Sequence, residues 1–200
     1  MSTLAPAGPV AGQIAWLWWA MLGGSAVLTV MVLALVALGF RAPREQSEKR
    51  WVFGMGIAFS LTVLTVTLAG ALVVGERILP RGPAFEVHAE SRQWMWRFET
   101  PETGVTVDVM HVPAGQPIDV LVTSIDVIHS FWVPRLGGKI DAIPGRVNRL
   151  RLQVDTPGEY AGACAEFCGL DHGVMSFTLV AHETWPPTPE ALSAEIEVAR

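Results

Sequence analysis

Residues 164 to 175 read Cys-Ala-Glu-Phe-Cys-Gly-Leu-Asp-His-Gly-Val-Met and hold both cysteines of the 200-residue chain. Cys164 and Cys168 stand four apart, His172 follows four later and Met175 three after that. One compact loop or helical turn can aim four such side chains at a single point. Two thiolates, an imidazole and a thioether make a copper ligand set: sulfur suits Cu(I), imidazole suits either oxidation state, and a weak axial Met tunes the redox potential. Mg or Ca, which prefer oxygen, would gain little from these sulfurs.

Two simpler readings compete. Cysteines outside the cytoplasm most often form a structural disulfide, but a bond closing three intervening residues constrains the unfolded chain little. A zinc site is the other, yet structural zinc favours closed tetrahedral sets without Met. Completing a pair of metal coordination spheres needs a second histidine. The best candidate is His129 in Val-Ile-His-Ser-Phe-Trp-Val-Pro, residues 127–134, provided that a different strand end delivers it to the loop.

Positioning such a cluster needs a folded domain, and the composition allows one with a membrane anchor attached. Half of the residues are hydrophobic and the formal net charge is -5. No basic stripe occurs, which argues against nucleic acid as a partner; the acidic balance suits a basic protein instead. The first thirteen residues carry no charge, and an apolar run then continues to Phe40. The roughly 27 residues from Ile14 to Phe40 make about 40 Å of helix, longer than a hydrocarbon core of ~30 Å. A secretory signal is disfavoured, since the run lacks a positive leading region, is too long and meets no small-residue cleavage site before Arg41.

A second apolar run, residues 51–74, follows after ten residues, so the two runs form a helical hairpin. The connection carries Arg41, Arg44, Lys49 and Arg50, whereas the segment before the first run has no basic residue. Positive charge favours the cytoplasmic side, which puts this loop inside and both termini outside. Trp16, Trp18, Trp19 and Trp51 lie near helix ends as interfacial aromatics do, and Glu76, Arg77 and Arg81 mark the exit into the outer aqueous phase. The expected divisions are an outer N-terminal segment 1–13, transmembrane helices 14–40 and 51–74 joined by a cytoplasmic loop 41–50, a linker 75–83, an outer domain 84–184 and a tail 185–200.

In the outer domain the period becomes two. Val105, Val107 and Val109 alternate with Thr106, Asp108 and Met110, and Leu150, Leu152 and Val154 with Arg149, Arg151 and Gln153. This predicts half-buried strands. Turn signals at 113–117, 144–145 and 156–159 separate them, and many short strands at this spacing predict an antiparallel sandwich. Residues 93–96, Gln-Trp-Met-Trp, head one strand, with Trp94 and Trp96 on the same face. His88, His111 and His182 fall outside these patterns and receive no role.

Taken together, residues 126–131 (Asp-Val-Ile-His-Ser-Phe), 139–146 (Lys-Ile-Asp-Ala-Ile-Pro-Gly-Arg) and 164–175 closely resemble subunit II of the haem-copper cytochrome c oxidases. The resemblance covers nearly the whole chain. It implies an all-β cupredoxin-like Greek-key sandwich behind the two transmembrane helices, and a centre of two copper ions (CuA). In that centre Cys164 and Cys168 each bridge both coppers; His129 and Met175 complete one, His172 and the backbone carbonyl of Glu166 the other. The Glu166 carboxylate would help bind Mg at the seam with subunit I, and Phe131, Trp132 and Phe167 would enclose the site.

By the same resemblance Trp94 receives electrons from cytochrome c, and Glu48, three residues before Trp51, stands at the entrance of a proton pathway into subunit I. Asp141 and Arg146 would face that subunit. The chain departs from the family in carrying Met95 where Tyr is frequent and Met55 where a Pro is usual. The implied function is electron transfer from cytochrome c to haem in subunit I, where oxygen is reduced to water with proton translocation. Subunits I and III, cytochrome c and membrane lipid are the implied partners, and haem resides only in the partner subunit. The absence of a transit peptide points to a bacterial plasma membrane, and that of C-x-x-C-H argues against a fused cytochrome c domain. Two rivals are a quinol oxidase subunit, whose lineage loses the copper ligands, and a membrane-anchored copper carrier, which would need exchangeable ligands.

Overall fold

The first apolar run forms helix α1, Pro9–Arg41, with proline at the opening position where its missing N–H has no partner to lose. The second forms helix α2, Glu48–Arg77. The computed structural model describes residues 2–41, 47–79 and 81–196; residues 42–46 of the expected loop, Pro80 of the linker and 197–200 of the tail lie outside the described residues. None of the apolar window of α1 and 6% of that of α2 is buried by protein. A helix apolar on all sides yet uncovered by protein suits lipid, and both helices are long enough to cross a bilayer. Hydroxyls within them bond back to their own helix: Thr29, Thr62 and Thr67 donate to the carbonyls of Ser25, Ala58 and Val63 at 2.8–2.9 Å. The start of α2, Trp51–Phe59, is wound as a π-helix, a stretch whose Gly54 and Gly56 leave the backbone room to widen.

The chain divides into two units, Gln13–Leu79 and a second made of Met1–Gly12 with Pro80–Arg200. The second holds two five-stranded sheets. One has the order β3 (Gly104–Val107), β2 (Met95–Thr100), β1 (Phe85–Arg92), β5 (Pro117–Ser124), β8 (Asn148–Gln153); the other β4 (Val109–Pro113), β10 (Ser176–His182), β9 (Gly158–Cys164), β6 (His129–Trp132), β7 (Ile140–Ala142). The sandwich is cupredoxin-like, but it is not wholly antiparallel as its turn spacing predicts. β1 pairs with β5 and β4 with β10 in parallel. Tight turns force antiparallel neighbours, whereas these pairs are joined by long excursions through the other sheet and are free of that rule.

The interior is aromatic. Trp96, Phe98 and Phe131 are fully buried, and Phe177 stacks on Phe131 at 4.8 Å between centroids and meets Phe98 at 5.3 Å. Each such pair contributes about 0.5–1.5 kcal/mol beyond the area it buries. The alternation over 149–154 holds, with Leu152 and Val154 buried. That over 105–110 does not describe one strand. Val105 and Val107 are about half exposed on an edge strand, and the chain then changes sheets at Asp108, whose φ of 57° few residues besides Gly, Asn and Asp adopt. Asp108 stitches the switch: its carboxylate accepts from Trp96 N–H at 2.7 Å, its N–H donates to Trp96 O, and its carbonyl accepts from Thr178 N–H. Burial raises its pKa, and the Trp96 bond offsets part of that.

The N-terminal segment belongs to this unit, a role its uncharged sequence does not announce. Ala7 N–H donates to Arg135 O at 2.8 Å, Ala7 O accepts from Asp155 N–H at 3.1 Å, and Arg135 Nε donates to Ala5 O. A Cβ on Gly8 would sit 2.0 Å from Gln153 O, so only glycine allows the approach. Arg151 ties down the segment leading out of α2, donating to the carbonyls of Arg81 and Gly82 while paired with the buried carboxylate of Asp119.

His111 and His182, unassigned in the sequence, meet on neighbouring strands at 3.0 Å from Nδ1 to Nε2 with stacked rings. Burial, and then the nearby His182, push the pKa of His111 down to about 4; burial lowers that of His182. A histidine whose folded pKa lies below its unfolded 6.5 adds stability above pH 6.5 and loses it as pH falls through the folded value. The thermal midpoint of the chain in detergent is expected to drop between pH 6.5 and about 4. A His111→Phe, His182→Phe double variant should lose most of that slope, and an unchanged slope would assign the acid sensitivity elsewhere.

Candidate metal centre

Two sheet strands and one loop build the site. β9 ends at Cys164 and lies antiparallel to β6, pairing Phe131 with Cys164 and so bringing His129, at the start of β6, to the same end of the sheet. The loop from 164 to 175 then closes on itself. Cys164 N–H donates to Met175 O at 3.0 Å, and Ala165 N–H to Ser130 O at 2.9 Å. Inside the loop Met175 N–H reaches Asp171 O at 3.1 Å, around a short 3₁₀ turn His172–Val174.

All side chains with soft or borderline donors in this region converge. The two Sγ atoms are 3.9 Å apart. His129 Nδ1 lies 3.8 Å from Cys164 Sγ, His172 Nδ1 3.6 Å from Cys168 Sγ, and Met175 Sδ 3.8 Å from Cys168 Sγ. Glu166 O is 3.3 Å from Cys164 Sγ. The ligand atoms of His129, Cys164 and Cys168 all fall within 4.8 Å of one another. Both cysteines are free thiols, far beyond the ~2.05 Å of a disulfide. Four of the five side-chain donors are buried, His129 fully and Cys164, Cys168 and Met175 to at most 7% exposure, while His172 is half-buried at the loop surface. The donor set, two sulfurs, two imidazole nitrogens, a thioether and one carbonyl, is soft and fits copper as a hard-cation site would not.

Asp126 orients the deepest imidazole. Burial pushes its pKa up, but bonds from His129, Gln93 N–H and Val127 N–H outweigh that and hold the carboxyl below its usual range. An ionised carboxylate only accepts, so His129 Nε2 must donate to Oδ1 at 2.9 Å. In the neutral ring Nδ1 is then the lone-pair nitrogen, and it is the one facing the sulfurs. The spacing Asp-x-x-His was the signal in the sequence, and its value as an orienting pair was missed.

The model for "Cytochrome C oxidase subunit II, periplasmic domain" matches residues 105–182. Cytochrome c oxidase subunit 2 of Alkalihalophilus pseudofirmus is 31% identical over 98% of this chain and 64% of its own length. Quinol oxidase subunit 2 of Bacillus cereus is 31% identical over 90% of this chain and 68% of its own length. The chain belongs to the cytochrome c oxidase subunit II family. It spans less than two thirds of the length of the A. pseudofirmus relative. A chain in the cryo-EM structure of a haem-copper terminal oxidase dimer superposes with a TM-score of 0.51 at 24% identity, covering 64% of this chain and 97% of that one, which shows a shared fold.

The remaining residues singled out from the subunit II pattern are placed as follows. Trp94 is not in a strand: it sits in the two-residue turn between β1 and β2, half-buried and packed against the core in which Trp96 is fully buried. Its indole lies on the metal loop, where a Cβ on Gly169 would be 3.1 Å from Cζ2. Glu166 is exposed. Phe131 is buried beside the site, but Phe167 is 76% exposed, with a ring contact to His172 at 5.8 Å, so it does not enclose the site as the resemblance implies. Trp132 donates through Nε1 to Gly137 O. Asp141 lies in β7, its carbonyl bonded by Asn148, and Arg146 is exposed. Glu48 is exposed at the first residue of α2, in the other unit.

Burial first, and then the neighbouring Cys164, push the Cys168 thiol up to about 12. In the metal-free chain Cys168 is therefore protonated at neutral pH, and alkylation by iodoacetamide at pH 8, followed by mass spectrometry, should be far slower than at an ordinary cysteine and should accelerate toward pH 12. Rapid labelling at pH 8 would contradict this.

Proposed function

We propose that this chain is the electron-accepting subunit II of a membrane respiratory oxidase, taking electrons from reduced soluble cytochrome c and passing them to haem in subunit I, where oxygen is reduced to water with proton translocation. The observation that carries this reading is the convergence of five side-chain donors, each within 4 Å of a neighbouring sulfur, with both cysteine sulfurs buried beneath a largely exposed loop. His129, Cys164, Glu166 through its carbonyl, Cys168, His172 and Met175 would hold two copper ions. When bound there, copper would supply a store for one electron at a time.

The chain's own residues do the rest. The closed loop and the Asp126 bond fix the donors before metal arrives, so little reorganisation is left for electron transfer. The buried aromatic wall, with Trp96 against both His129 and Phe131, keeps water from the sulfurs. Trp94, half-buried on the outer side of the metal loop, is the residue through which electrons enter. Glu166 carries its carbonyl toward Cys164 and an exposed carboxylate outward, a hard oxygen donor suited to Mg at the seam with subunit I. Glu48, exposed at the start of α2, is the proposed entrance of the proton path.

The charge of the connecting stretch favours the cytoplasmic side for it and the outer side for the β unit, and the membrane proposed is a bacterial plasma membrane. The family also contains quinol oxidase subunits. The full donor set favours the cytochrome c reading over a metal-free scaffold. Burial of His129, both cysteines and Met175 favours a resident centre over a copper carrier, whose ligands must exchange.

The test is a copper count with electron paramagnetic resonance on the full chain in detergent. Two coppers per chain sharing one unpaired electron are expected; one copper, or none held tightly, would overturn the reading. Cys168→Ser should abolish the signal, because a hydroxyl is a poor ligand for copper beside the thiolate it replaces. Met175→Leu should keep two coppers but shift the reduction potential. Trp94→Phe should leave the signal intact and slow oxidation of cytochrome c, and normal turnover in that variant would remove Trp94 from the route.

A further inference from the structure

A turn residue is free to swing unless something fastens it, and the turn that carries Trp94 is fastened twice. Gln93 N–H donates to Oδ2 of Asp126 at 2.8 Å, and the other oxygen of that carboxylate takes the proton of His129 Nε2 at 2.9 Å. The Gln93 side chain reaches the opposite way, its Nε2 donating to the carbonyl of Cys168 at 2.7 Å. Because a carbonyl only accepts, this contact also sets which end of the amide faces the loop. The next residue is Gly169, with φ of 126°, where an added Cβ would lie 3.0 Å from Gln93 Nε2 and 3.1 Å from the indole Cζ2. Ser124 Oγ steadies Asp126 from behind at 3.2 Å.

Gln93 is exposed and has no metal-binding chemistry of its own. An exposed glutamine with three rotatable side-chain bonds gains nothing from order unless its amide is engaged. Here one residue touches both sides of the cluster, His129 through Asp126 and Cys168 directly, and the indole that follows it is laid against the backbone between Cys168 and Gly169. We propose that Gln93 is a positioning residue that clasps the Trp94 turn onto the metal loop and so sets how fast electrons pass Trp94, without binding metal. This rests on the role given to Trp94 above.

The experiment uses the full chain in its assembled oxidase, with Gln93→Ala, Trp94→Phe and the double variant. Gln93→Ala is expected to keep copper content and the resonance signal and to lower kcat for oxidation of reduced cytochrome c about tenfold, the scale on which residues supporting a ligand shell act. KM should stay unchanged, and Gln93→Ala should add nothing in the Trp94→Phe background. A change confined to KM would make Gln93 a docking contact, and an additive loss in the double variant would show that it does not act through Trp94; either overturns the proposal.

A second readout needs no metal. In the copper-free full chain labelled with 5-fluorotryptophan, the fluorine line of Trp94, assigned by its loss in Trp94→Phe, should move toward the free amino acid in Gln93→Ala while the other lines stay. An unmoved line overturns the clasp itself. If Trp94→Phe turns over normally, the role of Trp94 fails and the rate effect with it, while the fluorine line still decides whether Gln93 holds the turn.

Discussion

One backbone hydrogen bond, Cys164 N–H to Met175 O, makes the rest of the centre possible. It joins the last residue of β9 to the residue before β10, so that the intervening loop must turn back on itself above the end of a sheet. Cys164, Cys168, His172 and Met175 are then delivered by adjacent backbone. Only His129 comes from elsewhere, and the pairing of Phe131 with Cys164 fixes where it arrives. The loop lacks regular structure beyond a three-residue turn, and its donors are still held, because the two strands it connects are hydrogen-bonded to each other along their lengths.

Such a site has a cost in the absence of metal. Two thiols, two imidazoles and a thioether occupy volume that apolar side chains would fill with less loss. The chain meets this by keeping sulfur protonated where it is deepest, with Cys168 raised to about 12, and by holding the two Sγ atoms 3.9 Å apart, out of bonding reach. The core behind the site is aromatic, with Phe131 stacked on Phe177. The donors are therefore arranged in advance of the metal, which is the condition for a centre that changes little when its charge changes.

Much of this was legible in the sequence. Clustered Cys, His and Met report metal chemistry directly, and the apolar runs and two-residue periods report helices and strands, because those patterns are local. What was not legible depends on distant partners. The valines at 105, 107 and 109 look like one half-buried strand, yet Asp108 sends the chain across to the second sheet, and only the bonds to Trp96 and Thr178 make a positive φ worthwhile there. Nor does anything local mark His111 and His182, far apart in the chain, as a stacked pair. The same holds for Trp94: alternation predicts that it shares a face with Trp96, but the turn between β1 and β2 intervenes and leaves one indole half-buried against the metal loop and the other fully buried in the core.

The strap formed by residues 5–8 has a consequence of parity. Ala5 and Ala7 are bonded to Arg135 and Asp155, so the start of the chain and the β unit occupy one compartment. Whatever path the intervening residues take, they must cross the bilayer an even number of times. A one-span arrangement, with either apolar helix left lying in the interface, would tear Ala7 from its partners. The strap is thus a restraint on topology that owes nothing to the charge of the connecting stretch.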